Sequence, residues 1–106
     1  MMIEIEYSPV AIEDLQEIEK YISIELDNIR SAERIVDNIV DKIDCLSDMP
    51  EIGAPISSRV DFETDYRYLV CGNYNVFYRI ETDSVKIIRV LNARRNFMVI
   101  LFGKND

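Results

Sequence analysis

Arg67, Arg79, Arg89, Arg94 and Arg95 lie interleaved with Tyr66, Tyr68, Tyr74 and Tyr78. A guanidinium presents a planar fork that grips a phosphate or carboxylate, and a tyrosine ring stacks on bases. Together they suit binding to a nucleic acid or to an anionic protein surface. The competing reading is that sheet tyrosines are core and that each arginine pairs with one of the many carboxylates. For any one of these residues the second reading is preferred. The cluster Asn92-Ala93-Arg94-Arg95-Asn96, at the end of a strand, is where binding is expected instead.

Most catalytic templates are excluded outright. The chain has no His, so it has no Ser-His or Cys-His pair and no imidazole zinc site. Its only glycines, Gly53, Gly72 and Gly103, cannot form a phosphate-cradling loop. Cys45 and Cys71 stand at no metal-ligand spacing, and both are expected to be buried thiols. No cofactor and no metal are expected.

Charge is divided unevenly. From Met1 to Asp65 there are 17 acidic and 5 basic residues, and from Tyr66 onward 3 acidic and 7 basic, for a net −8. A net-acidic chain is a poor non-specific ligand for nucleic acid, although a local basic patch can still bind an anionic surface. The acidic residues of the first half fit the solvated faces of helices. A chain of 106 residues suits a single domain, 1–106. No apolar run approaches the roughly 20 residues that span a bilayer, and MMIEIEYSP lacks the pattern of a secretory signal. No membrane association and a cytoplasmic location are expected.

The elements that must position the cluster are legible in order. Met2 to Glu6 alternates apolar and acidic, the period of a half-buried strand. Ser8 and Pro9 start a helix whose Ala11, Leu15, Ile18 and Ile22 share one face. A second helix carries Ile29, Ala32, Val36, Ile39, Ile43 and Leu46, capped by Asp27 or Asn28 and stopped at Asp48-Met49-Pro50. The two form an antiparallel hairpin. Their heptad-like spacing leaves a homodimer open, but too few heptads are present for a sustained coiled coil, so packing onto a sheet is preferred. After the turn residues of MPEIGAP, Ile56 to Asp65 reads as loop.

Three strands follow: Tyr66 to Cys71, Asn73 or Tyr74 to Ile80, and one beginning near Val85. Gly72-Asn73 suits a tight hairpin between the first two. Tyr74, Val76, Tyr78 and Ile80 share a face, as do Val85, Ile87, Arg89 and Leu91 under simple alternation. The fold class is therefore α+β: an N-terminal strand, then an antiparallel helical hairpin packed on an antiparallel sheet completed by three consecutive strands. The unbroken apolar run Phe97 to Phe102 packs either on the domain itself or against a partner. On the second alternative, Phe97, Val99 and Leu101 are its contact residues.

The runs YRYLVCGNYNVFYRI and VKIIRVLNARRN, with YSPVAIEDLQEIEKYI and MPEIGAP before them, resemble the RelE/ParE superfamily of toxins from type II toxin–antitoxin systems. The resemblance covers about Met2 to Asn96. It implies the same hairpin-on-sheet fold and a cognate antitoxin that wraps and neutralises the toxin. RelE-like members are ribosome-dependent mRNA endoribonucleases. Their basic positions fall at Leu69 and Asn75 here, and their C-terminal Tyr or His falls within Phe97 to Phe102, which has neither. Only Arg67, Arg94 and Arg95 match a nuclease set. ParE-like members bind and inhibit DNA gyrase without chemistry of their own. Tyr66-Arg67, Phe77-Tyr78-Arg79 and Arg89-Val90-Leu91 look closer to that branch, with Asn92 where a His is usual. The resemblance thus implies target contacts from Arg67, Asn75, Arg79, Asn92, Arg94 and Arg95, with gyrase preferred over ribosome and mRNA, and a degenerate, non-toxic member that only binds antitoxin as the further alternative.

Overall fold

The computed structural model describes residues 3–103, so Met2 of the first expected strand and Lys104 of the basic half lie outside it. Strand β1 is Glu4–Tyr7. Helix α1 is Pro9–Lys20, where the Ser8 Oγ accepts a hydrogen bond from the Ala11 N–H at 3.0 Å and Pro9 takes the first position. A single π-helical turn, Tyr21–Glu25, prolongs it and turns Ile22 inward. Asp27 adopts a φ of 49°, a left-handed conformation that Asp tolerates. Asn28, rather than Asp27, then caps helix α2, Ile29–Asp44, its Oδ1 accepting from the Ser31 N–H at 3.0 Å.

The α-helix ends at Asp44, and a 3-10 turn over Cys45–Ser47 carries Leu46 into the core before Pro50. Strands β2 (Ala54–Pro55), β3 (Tyr66–Cys71), β4 (Tyr74–Ile80) and β5 (Ser84–Asn92) follow, and helix α3 is Phe97–Phe102. Between β3 and β4, Gly72 alone takes the positive φ, 59°, that the two-residue turn requires.

The sheet order is β1-β5-β4-β3-β2. The α+β layout is as expected, with two differences in the sheet. First, β1 joins β5 in parallel, so the sheet is mixed. The helical hairpin carries the chain away from β1, and the meander of β3, β4 and β5 returns beside it in the same direction. Second, Ala54 and Pro55, expected in a turn, pair with Tyr68 and Arg67 as a short edge strand.

The hairpin covers one face. Ala11, Ile39, Ile43 and Leu46 pack there against Leu69, Val76, Tyr78, Val85, Ile87 and Val90. On the other face, Ile56, Phe77 and Leu91 are covered by α3 through Phe97, Ile100, Leu101 and Phe102. Phe97 stacks on Phe77 with ring centroids 5.5 Å apart, and Phe102 meets Phe62 at 5.1 Å and Tyr66 at 5.4 Å. The apolar run therefore packs on its own sheet.

Three local expectations are corrected. Simple alternation along β5 places Leu91 with Val85 and Ile87, but Phe77 pairs with Arg89 while Tyr78 pairs with Ile87. The extra residue, Ile88, is a β-bulge that resets the phase. Val90 therefore joins the hairpin face, and Leu91 joins the α3 face. Ile29 is 66% exposed because it is the first residue of α2, ahead of the segment that packs on the sheet. Cys45 is exposed at the helix end, whereas Cys71 is buried and burial raises its thiol pKa. Alkylation of the folded protein should therefore modify one thiol quickly and the second only on unfolding, as mass spectrometry of the labelled peptides can check. Equal rates at both would contradict the fold.

Behind β3 the loop before β2 is fastened to the core. The wholly buried Tyr78 accepts a hydrogen bond from the Gly53 N–H at 3.0 Å and donates one to the Pro50 carbonyl at 2.7 Å. Arg67 Nη2 donates to the carbonyls of Gly53 at 2.7 Å and Glu51 at 3.1 Å.

Candidate functional site

The site grows from the free end of β5. Strand β1 stops at Tyr7, opposite Ile87, so the remainder of that edge of β5 has no strand partner. Unpaired backbone groups there are costly if buried, and the start of α1 satisfies them. Ser8 donates its N–H to the Ile87 carbonyl at 2.9 Å and its Oγ–H to the Ile88 carbonyl at 2.8 Å. Asp14, only 6% exposed, accepts from the Val90 N–H at 2.9 Å. The same carboxylate takes the Arg89 fork through Nε at 2.8 Å and Nη2 at 2.9 Å. This hydrogen bonding is the chief cause that raises the Arg89 pKa. Arg89 is thus committed to holding α1 on the sheet.

Beyond this clamp the chain turns sharply. Asn92 Oδ1 accepts from the Arg94 N–H at 2.9 Å, and its carbonyl accepts from the Arg95 N–H at 2.9 Å. The Ala93 N–H donates to the Asn73 carbonyl at 2.8 Å, tying the turn to the β3–β4 hairpin. Asn96 Oδ1 then accepts from the Met98 and Val99 N–H groups and starts α3. Asparagine at both ends therefore fixes the backbone that carries Arg94 and Arg95. Both arginines are exposed, and neither makes an ion pair among the described residues.

A cleft of about 400 Å³ opens beside the turn, between it and the end of α1. Asn92, Arg94, Arg95 and Tyr74 line one side, and Glu17 and Tyr21 the other. Burial raises the Tyr74 phenol pKa, outweighing a hydrogen bond with Asn92 that lowers it. At neutral pH the Tyr74 hydroxyl is therefore protonated and can donate. The arrangement offers two guanidinium forks and a phenol donor to an anionic group, with a carboxylate opposite.

Of the residues expected at the target surface, Asn92, Arg94 and Arg95 converge here. Asn75 is half-buried and pairs with Leu91, on the face that α3 covers. Arg67 is held by the Glu51 and Gly53 carbonyls, with its Nε buried and unpartnered. Arg79 sits at the opposite end of β4, paired with Glu81 at 2.7 Å and placed 6.0 Å from the Tyr66 ring centroid. Of the residues expected to face a partner, Phe97 and Leu101 pack on the sheet, and Val99 is 40% exposed.

Sequence reasoning missed Glu17, Tyr21 and above all Asp14, which reads as one more solvating acid. The available signal was its position three residues after Ala11, on the face that turns inward. Among the described residues, no group of His, Cys, Asp and Glu could hold a metal ion, and no helix is long and apolar enough to cross a membrane.

Comparison with solved structures places the fold. The chain superposes on a chain of the chromosomal ParDE toxin–antitoxin system from P. aeruginosa with a TM-score of 0.73 and 22% identity, covering 86% of this chain and 96% of that one. It also superposes on a chain of the RelBE2 toxin–antitoxin complex from Mycobacterium tuberculosis with a TM-score of 0.64 and 22% identity, covering 87% and 99%. No curated protein sequence matches it. The model of the ParE toxin of type II toxin–antitoxin systems, parDE, matches residues 5–97. That match takes in all of β1 but Glu4, the helical hairpin, the whole meander and the basic turn, and the chain belongs to the ParE toxin family of type II toxin–antitoxin systems.

Proposed function

We propose that this toxin inhibits DNA gyrase by binding it through the Asn92–Asn96 turn, and that a cognate antitoxin neutralises it in the cytoplasm. The observation that carries this reading is the pair Arg94 and Arg95. They are exposed and make no ion pair among the described residues, on a turn whose backbone is fixed from both ends. Among the expected target contacts, Arg67 and Arg79 are engaged within the fold. The positions that a RelE-like nuclease fills with basic groups offer little chemistry here. Leu69 lies in the core, and Asn75 is a neutral amide beside Leu91. Binding therefore accounts for the arrangement better than proton transfer does.

Induced expression is expected to stop growth and trigger DNA damage signalling while bulk mRNA stays intact. New codon-aligned mRNA ends would instead favour the ribonuclease. Normal growth under confirmed soluble expression would contradict toxicity.

The antitoxin half of the reading is supported by the family and by the two superposed chains, each from a toxin–antitoxin system. A ligand of the native state alone raises stability, by about 2.7 kcal/mol at a hundredfold excess over Kd. The product of the neighbouring reading frame is therefore expected to raise the melting temperature of this protein by several degrees in thermal denaturation. An unchanged melting temperature would contradict that pairing.

A further inference from the structure

The closed end of the helical hairpin is apolar and exposed. Tyr21 is 57% exposed, Ile24 62%, Leu26 58% and Ile29 66%. The π-helical turn produces this arrangement, because Ile22 is drawn into the core while its neighbours are left in solvent. Such single turns are often found at functional sites. A groove of about 200 Å³ meets the patch at Tyr21 and Ile24 and is lined also by Glu17, Lys20 and Glu25. The exposed carboxylates Glu17 and Glu25 line it and exposed Asp27 follows at the hairpin turn, none in an ion pair among the described residues, with exposed Arg30 next to Ile29. From Pro9 to Asp44 the chain carries ten acidic residues against four basic ones. Lys20 is the one cation lining the groove.

We propose that this apolar, acid-rimmed hairpin end docks a basic amphipathic segment of the antitoxin, with apolar side chains set on Tyr21, Ile24, Leu26 and Ile29 and Lys or Arg facing Glu17, Glu25 and Asp27. Apolar anchors supply most of the affinity in such a contact, and the charged rim supplies steering and partner choice. A second copy of this chain does not suit the surface. In a two-fold contact the patch meets itself, and its carboxylates would face like charges. The charge balance of the first half thereby becomes a statement about the partner: the covering segment is net positive. This inference rests on the antitoxin reading above and deepens it.

The test is titration of the full-length protein with the purified product of the adjacent reading frame, at low and at moderate salt. Wild-type affinity is expected to fall as salt rises. Ile24→Ala with Leu26→Ala should weaken binding about tenfold or more. Glu17→Lys with Glu25→Lys should slow association and remove most of the salt dependence. All four positions are exposed, so melting curves should show both variants folded. If the wild-type protein binds nothing, the antitoxin reading itself fails, and this inference with it. If it binds but neither variant changes affinity, the antitoxin reading stands and this surface is wrong. Tighter binding by the charge-reversed variant would overturn the basic character of the segment. A partner-free dimer that Ile24→Ala with Leu26→Ala dissociates would show a second copy to be the occupant.

Discussion

Asp14→Ala is expected to lower the unfolding free energy by about 3 kcal/mol, the low end of the range for breaking a buried ion pair from one side. The carboxylate receives three hydrogen bonds, two from Arg89 and one from the Val90 N–H. Its removal leaves a buried backbone donor and a half-buried guanidinium without partners, and each of these carries its own desolvation cost. Arg89 keeps some access to water, which is why the low end applies. In a domain of this size the loss corresponds to about 12 °C in melting temperature. Urea denaturation should show the drop with an unchanged slope. Asp14→Asn keeps an acceptor for the Val90 N–H and should cost less. A loss under about 1 kcal/mol for Asp14→Ala would show that the clamp between α1 and β5 is not what holds the cleft wall in place.

Gly53→Ala is the second large effect, expected to cost about 3 kcal/mol. A Cβ at that position would lie 2.5 Å from the Tyr68 carbonyl oxygen and 2.6 Å from the Tyr78 Oη. Neither neighbour yields easily, since one is sheet backbone and the other belongs to a wholly buried ring. Overpacking of this kind costs about 1–3 kcal/mol. The hydrogen bond from the Gly53 N–H to Tyr78 would be strained or lost as well, adding about 1 kcal/mol. Tyr78→Phe is the companion change: it removes the hydroxyl without adding bulk and should cost about 1–2 kcal/mol. Thermal melts of the two variants separate the steric part from the hydrogen-bonding part. Gly53→Ala with wild-type stability would contradict the close approach of this loop to the sheet.

What the sequence disclosed and what it withheld divide along physical lines. Ser8-Pro9 and Asn28 mark helix starts because a cap acts within one turn, so nearby residue types suffice to read it. Strands β3 and β4 and the Gly72 turn follow from alternation and from a single residue able to take positive φ. The parallel seat of β1 beside β5 is a pairing between distant segments, and no local period encodes it. The bulge at Ile88 breaks the alternation without a Gly or Pro to announce it, so alternation alone puts Leu91 on the wrong face. Cys45 read as core by residue type alone, yet it lies on the exposed side of a helix end.

The candidate site divides in the same way. The Asn92–Asn96 turn was legible because polar and basic residues cluster at a strand end. The commitment of Arg67 to loop carbonyls and of Arg79 to Glu81 was not, since a free and a paired arginine look alike in sequence. The acidic wall of the cleft came from a distant helix, and Asp14 was hidden among many similar acids.

Arg94 and Arg95, two exposed guanidiniums on the fixed turn, are the proposed contacts with gyrase. Supercoiling of relaxed plasmid by purified gyrase, with increasing amounts of this protein or of its Arg94→Ala/Arg95→Ala variant, tests those contacts most directly. Wild-type protein should inhibit supercoiling. The double variant, whose substitutions lie at exposed positions that make no ion pair among the described residues, should keep its melting temperature and require at least tenfold more protein for the same inhibition. Unimpaired supercoiling at saturating wild-type protein, or equal inhibition by the folded double variant, would contradict the account.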